Sequence, residues 1–322
     1  MRFYLGTHEP TWLNRSHVAL FVSAVRLRDR CKRKLPRARA PWALDSGGFS
    51  VLSKHGGYPT TNREYAAEVR RWHDEIGRLE WAAVQDWMCE PVMIERTGLS
   101  VAEHQRRTVA SYAELRFDVG VGLPWVPVLQ GYTHADYLRC LDLYDAAGFN
   151  LRELPLVGIG SVCRRQSTAD AEVIIRDLTA RGLRLHGFGF KLEGLTRCRD
   201  VLASADSLAW SYAGRCDSRK ERARLLAAAG SPSLFDAGHG AAVVAAEPSR
   251  GNSPAVAVEW LHGVRVAAAI TPEPGLLVCP FCDSLDVCPP LSSVDYCCVE
   301  CGSSWGDLRE PALVRANALQ TR

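Results

Sequence analysis

The feature that most constrains this chain is an alternation. Eight short apolar, β-prone segments recur through its first two thirds: Phe3–Leu5, Val18–Val22, Trp42–Leu44, Trp81–Val84, Val126–Leu129, Leu156–Ile159, Arg184–Phe188 and Ser207–Trp210. Most are separated by stretches with helical periodicity, among them Arg63–Ile76, Val101–Leu115, Tyr137–Ala147, Ala169–Arg181 and Ser218–Ala229. Parallel strands cannot be joined by a tight hairpin, so each needs a crossover, and a helix is the usual one. Eight such units predict an α/β fold, a (β/α)8 barrel of the TIM type. An open, doubly wound sheet is the alternative.

One regularity favours the barrel. Polar or glycine-rich words follow the strands: Asp45-Ser46-Gly47-Gly48-Phe49, Gln85-Asp86, Gln130-Gly131, Gly158-Ile159-Gly160-Ser161, Gly187-Phe188-Gly189 and Asp206-Ser207. The C-terminal ends of barrel strands converge on one face, which holds the active site. Residues far apart in sequence would meet there.

Composition adds limits. The chain is 47% apolar and 23% charged, so a core can form without disulfides. A net charge of +3 excludes a globally polybasic binder. The N-terminal residues lack the apolar run of a signal peptide. No window approaches the roughly 18 apolar residues of a membrane span. These readings predict a cytoplasmic protein with no membrane partner.

The cysteines are unevenly placed. Of twelve, six crowd into Cys279 to Cys301. Cys279-x-x-Cys282 is followed after fifteen residues by Cys298-x-x-Cys301. Each pair suits a tight knuckle presenting two thiolates, and two knuckles make a tetrahedral zinc site. Four thiolates close the shell, so Zn2+ there is structural. Cys288 and Cys297 are spares, and Cys297 could replace Cys298. Reduced, unliganded cysteines are the alternative. The predicted organisation is therefore a barrel over residues 1–230, a Gly/Ser/Pro-rich connecting segment over 231–270, and a small zinc-ribbon-like module over 271–322.

Asp45 and Asp206 are carboxylates predicted at strand ends, and Asp86 is a third. One could act as nucleophile and another as general acid/base in glycosyl transfer through a covalent sugar intermediate. Taken singly, each is as readily a helix cap or a turn residue.

The surrounding words carry a resemblance. Asp45-Ser46-Gly47-Gly48-Phe49 resembles the Asp-Ser-Gly-Gly-Phe element of tRNA-guanine transglycosylases. Val126-Pro127-Val128-Leu129-Gln130-Gly131, Leu156-Val157-Gly158-Ile159-Gly160-Ser161 and His186-Gly187-Phe188-Gly189 are similar to later elements of that superfamily. Ala205-Asp206-Ser207-Leu208-Ala209-Trp210 resembles the archaeal-type element that carries the nucleophile. The words occur in family order. Aligning instead on Arg215 would put Ala209 at the nucleophile position, whereas the archaeal-type alignment needs no gap.

The closer resemblance is to the DNA-acting branch, the deoxypurine-in-DNA protein A transglycosylases. Phe3-Tyr4-Leu5-Gly6-Thr7-His8, Gln85-Asp86-Trp87-Met88-Cys89-Glu90-Pro91, Leu99-Ser100-Val101-Ala102-Glu103-His104-Gln105 and Gly160-Ser161-Val162-Cys163-Arg164-Arg165 carry it. It covers residues 1–215 or so.

The resemblance implies exchange of guanine in DNA for a free 7-deazaguanine base. Asp206 would attack C1′ and Asp45 would serve as general acid/base. Asp86 would accept from the purine's N1–H and amine, with Ser46 beside it in the pocket. Gln130, with the amide of Gly158 or Gly160, would read the O6 side. Phe49 or Phe188 would stack on the base. The base must leave its stack to reach such a pocket.

Between Arg26 and Arg39 lie eight Lys/Arg and one acid, Asp29. Arg30, Lys32, Arg33 and Lys34, joined by Arg164 and Arg165, are candidates for phosphate contacts near the barrel mouth. A solvated helix face is the alternative. Three other functions compete with DNA exchange: the same chemistry on tRNA, a nucleoside or base hydrolase, and a non-catalytic nucleic-acid-binding protein.

Overall fold

A computed structural model describes residues 1–30 and 34–209, together with the backbone of three short strands at 287–288, 295–298 and 304–306. The first two stretches build a parallel sheet of nine strands. They are β1 (Arg2–Thr7), β2 (Leu20–Ser23), β3 (Trp42–Asp45), β4 (Leu79–Ala83), β5 (Trp125–Val126), β6 (Val128–Leu129), β7 (Val157–Ile159), β8 (Leu185–Gly187) and β9 (Ser204–Ser207). Their order is β5-β4-β3-β2-β1-β9-β8-β7-β6.

The two edge strands are pieces of one segment, divided at Pro127. Proline has no N–H, so the ladder breaks there. The upstream piece pairs with β4 and the downstream piece with β7. The sheet's two edges thus meet in five residues of chain, and the barrel is nearly closed. Edge strands, which would otherwise invite pairing with other chains, are almost removed.

Helices fill most crossovers: α1 (Ala24–Arg28), α2 (Gly48–His55), α3 (Asn62–Ile76), α4 (Pro91–Thr97), α5 (Val101–Glu114), α6 (His134–Ala146), α7 (Ala169–Ala180) and α8 (Leu192–Cys198). The starts of the longer ones are written locally. Thr61 caps α3 and Thr133 caps α6, each with an acid three residues on that returns to the cap backbone. The short α2 and α4 went unforeseen, because eight- and seven-residue helices carry little periodicity.

The sequence predicts the last strand at Ser207–Trp210. It runs instead over Ser204–Ser207. Asp206 is therefore a strand residue, paired with Tyr4 of β1. The predicted helix Ser218–Ala229 and the domain limits near 230 and 270 lie outside the described residues. So does the alternative anchor Arg215.

Inside the barrel, side chains alternate in and out along each strand. Tyr4, Phe21, Trp81 and His186, from four strands, form one aromatic layer. Trp81 and His186 have ring centroids 4.6 Å apart, and Phe21 and Trp81 5.5 Å.

The second unit contains β10 (Val287–Cys288), β11 (Asp295–Cys298) and β12 (Ser304–Gly306), an antiparallel sheet in that order. Val287 pairs with Cys298, and Tyr296 with Trp305.

Candidate active site

Three carboxylates converge on the C-terminal ends of the barrel strands. Asp45 is the last residue of β3 and Asp206 lies one residue from the end of β9. Asp86 follows β4 by three residues. Burial pushes the Asp45 carboxyl up to about 6, and the charges of Asp86 and Asp206 add to the rise against opposing hydrogen bonds from Gly47 and Ser23. Burial also raises Asp86, while bonds from Ser46 and Gln130 pull it down. Among the described residues, no lysine or arginine lies within ion-pair distance of any of the three. An uncompensated acidic cluster is costly, and active sites are where such costs are kept.

Asp86 sits in a directed hydrogen-bond chain. The Cys89 amide donates to Ser161 Oγ at 2.8 Å, and that hydroxyl donates to Gln130 Oε1 at 2.7 Å. Gln130 Nε2 donates to Asp86 Oδ2 at 2.5 Å, and Ser46 Oγ donates to Oδ1 at 3.0 Å. Because Asp86 takes the amide nitrogen and Ser161 the amide oxygen, the flip of Gln130 is fixed. Among the described residues, Asp86 is the one acceptor of the Gln130 side-chain amide, which is fully buried. Ser161 holds this place in left-handed backbone, φ +57°. Such backbone is uncommon for a residue other than glycine, and Arg78, at the foot of β4, also adopts it.

The glycines contribute space. Both candidate amides are engaged in the sheet, Gly158 N–H to Pro127 O at 2.8 Å and Gly160 N–H to Leu129 O at 3.0 Å. The O6 contact expected of one of them thus finds neither amide idle. A Cβ on Gly158 would stand 2.5 Å from the Phe188 ring, and one on Gly160 would collide with the Gln130 amide.

The two aromatic candidates differ. Phe188 is half-buried and joins the interior layer, 4.8 Å from the His186 ring. Phe49 lies in α2, and the Arg164 guanidinium covers its ring at 4.5 Å. Arg165 covers Tyr132 at 4.5 Å.

The described parts of the basic stretch reach from one end of the barrel to the other. Arg26 contacts His8 just past β1, on the site face. By Arg39, the chain has returned to the opposite end: its amide bonds Leu13 O, and the Ala38 amide bonds Ile76 O at the foot of β4. A crossover must end where the next parallel strand begins, so residues directly before a strand belong to the far face. Arg30 and Lys34 lie between, and Lys32 and Arg33 lie outside the described residues.

Several contributors were missed. Tyr58 donates to the Asp86 carbonyl at 2.9 Å. Gln105 donates to the Gln130 carbonyl at 2.7 Å, which gives the α5 motif its part beneath the site. Glu90 is buried beside Cys163, and its Oε2 has no hydrogen-bond partner among the described residues. Serines, tyrosines and glutamines of this kind carry no sequence signal until the fold brings them together.

Residues 1–224, over half of the 322-residue chain, match the sequence profile of the family described as DeoxyPurine in DNA protein A. The chain belongs to that family. No curated protein matches it. The match takes in every strand of the barrel and all three carboxylates, so the site described here is the family's part of the chain.

Of the cysteines predicted to bind metal, Cys279, Cys282 and Cys301 lie outside the described residues. Cys298 ends β11, so its pair with Cys301 opens the connection to β12. Among the described residues, no group of three or more His, Cys, Asp or Glu is arranged to hold a metal. Among them, too, no helix is long and apolar enough to cross a membrane.

Proposed function

We propose that this chain is a base-exchange pentosyltransferase on a (β/α)8 barrel, replacing guanine in DNA with a 7-deazaguanine derivative such as 7-cyano-7-deazaguanine. The observation that carries the reading is the convergence of Asp45, Asp86 and Asp206, with no pairing lysine or arginine among the described residues and with Asp45 raised to about 6, in a chain of this family.

The chemistry follows from the three environments. Asp206 attacks C1′ as the bond to N9 of guanine breaks, and the electron pair leaves with the base. Asp45, raised to about 6, is poised both to give and to take a proton. It protonates departing guanine and later accepts the N9 proton of the incoming base. That base attacks C1′, and the electron pair of the ester returns to Asp206. Asp86 receives the purine's N1–H and amine on its remaining lone pairs, and the second N–H of Gln130 reads O6. Phe49 stacks on the base once Arg164 leaves its ring face. Arg164 and Arg165 then serve the phosphates.

We also propose structural Zn2+ on Cys279, Cys282, Cys298 and Cys301. The position of Cys298 at the end of a strand supports it. Zinc bound there would supply folding energy to the small module. A cytoplasmic location fits reduced thiols and access to DNA.

The test is direct. Purified protein is incubated with 7-cyano-7-deazaguanine and either guanine-containing DNA or tRNA, followed by nucleoside mass spectrometry. Deazaguanine in DNA alone supports the proposal. Incorporation into tRNA alone replaces it with the RNA reaction, and release of guanine without incorporation replaces it with hydrolysis.

A further inference from the structure

Beneath Asp206 lies a histidine that the proposed reaction has not used. His186 is completely buried in β8, walled by Trp81 at 4.6 Å, Phe188 at 4.8 Å and Phe21 at 5.6 Å. A leucine or phenylalanine would fill such a box without leaving a polar atom to satisfy. A buried polar group is costly unless it finds a partner.

Its two nitrogens face two residues of β9. Ser204 stands opposite His186 in the sheet register, and Asp206 is two residues further on. The period of two turns both side chains the same way. Nδ1 lies 2.8 Å from Ser204 Oγ. Nε2 lies 3.3 Å from Asp206 Oδ1, and it makes no formed hydrogen bond among the described residues. Catalytic hydrogen bonds often begin long and tighten as the reaction proceeds. Asp206 Oδ1 already accepts the Gly189 amide at 2.9 Å.

The tautomer follows from these neighbours. A lone pair on Nε2 would face a carboxylate oxygen, which is repulsive. With the proton on Nε2, Nδ1 accepts from the Ser204 hydroxyl, and both contacts become attractive.

We propose that His186 is a positioning residue for the nucleophile: with the Gly189 amide it holds Asp206 Oδ1, leaving Oδ2 to bond C1′, while Ser204 fixes the required tautomer. This rests on Asp206 being the nucleophile. The two donors keep the carboxylate from rotating in the forward step. In the return step they stabilise it as leaving group, when the incoming N9 takes C1′ and the ester's electron pair comes back to Oδ2.

The experiment measures exchange of labelled guanine into DNA by the full-length protein, with kcat and KM separated and thermal unfolding recorded. His186→Leu should lower kcat by about 10- to 100-fold with little change in KM. His186→Gln, whose amide nitrogen reaches the place of Nε2, should recover much of the loss. His186→Asn, which mimics Nδ1, should not. Ser204→Ala should lower kcat by about 3- to 10-fold, since both tautomers then populate. Equal rescue by Gln and Asn, or wild-type kcat in Ser204→Ala, overturns the proposal. If His186→Leu does not fold, Ser204→Ala and the Gln/Asn pair decide. Asp206→Asn is run alongside: full exchange by that variant removes the nucleophile reading itself, whereas its inactivity with an active His186→Leu removes only the positioning role.

Discussion

The two ends of the barrel treat charge in opposite ways. At the C-terminal end, Asp45, Asp86 and Asp206 share a site in which no lysine or arginine among the described residues pairs with them. At the N-terminal end, acids are matched. Glu80 pairs with Arg2 at 2.9 Å and accepts the Tyr4 hydroxyl at 2.8 Å, and that oxygen in turn accepts Trp81 Nε1–H at 2.9 Å. Both ends belong to the same strands, so the contrast does not come from fold. It separates a face that carries chemistry from a face that carries stability.

The comparison is broken most severely at Asp206. Asp206→Ala should reduce base exchange by at least about 10⁴-fold, as loss of a covalent nucleophile does in other enzymes. Nucleoside mass spectrometry reads it. Residual exchange within a factor of ten of wild type would move the chemistry to another group.

Next comes the packing that fixes Gln130. Gly160→Ala places a methyl against its amide and must displace it. A shift of about 1 Å in a recognition group can cost around 100-fold in rate. The expected outcome is a loss of that order, with the cooperative melt retained. An unaffected rate would show that Gln130 does not read the base.

The raised Asp45 carboxyl sharpens the contrast through pH. As an acid it must be protonated when guanine leaves, so guanine release should fall as pH rises through about 6. As a base it must be ionised when the new base enters, so that half-reaction should rise over the same interval. Single-turnover measurements separate the two. Parallel slopes would remove Asp45 from the proton transfers.

Much of this was legible in the sequence, and the remainder has physical reasons. Strand–helix alternation forecast the parallel sheet, and the polar words at strand ends forecast which face Asp45, Asp86, Gln130 and Asp206 would share. The register of β9 slipped by three residues, because Ser204-Ala205-Asp206-Ser207 is too polar to look like a strand when read alone. Its burial comes from neighbours on both sides. The basic stretch, predicted near the mouth, starts on the site face at Arg26 and has reached the opposite end by Arg39. Strand length separates the two ends. His186 stood in a quoted motif, yet only the barrel interior shows which atoms it faces.

Charge removal then yields opposite signs of stability at the two ends. Asp45 binds its proton more tightly folded than unfolded, its carboxyl rising from 3.8 to about 6. Well below pH 3.8 it is protonated in both states and costs nothing. The penalty appears as pH rises through that window and is complete above it. Asp45→Asn should therefore stabilise the protein at pH 8 and leave it unchanged well below pH 3.8. Two pK units correspond to about 3 kcal/mol. The carboxylate keeps partial contact with water, which lowers the expected gain to about 1 kcal/mol, a Tm rise of roughly 2–4 °C.

The smallest effect lies at the matched end. Glu80→Gln removes a charge but keeps an acceptor for Tyr4, so it forfeits chiefly the Arg2 pair. That pair is half exposed, at 46% and 31% for the two side chains. Exposed pairs contribute about 0–1 kcal/mol, so the expected change is a Tm drop of about 1–3 °C at pH 8. Base exchange should be unchanged, since Glu80 lies at the far end of its strand from Asp86. The loss should fade in high salt, because screening weakens the pair it removes. A drop that salt does not alter would assign the stabilisation to the Tyr4 and Trp81 hydrogen bonds. A loss of exchange would mean that the two faces are coupled through the aromatic layer between them, and the division of labour drawn from their charges would fail.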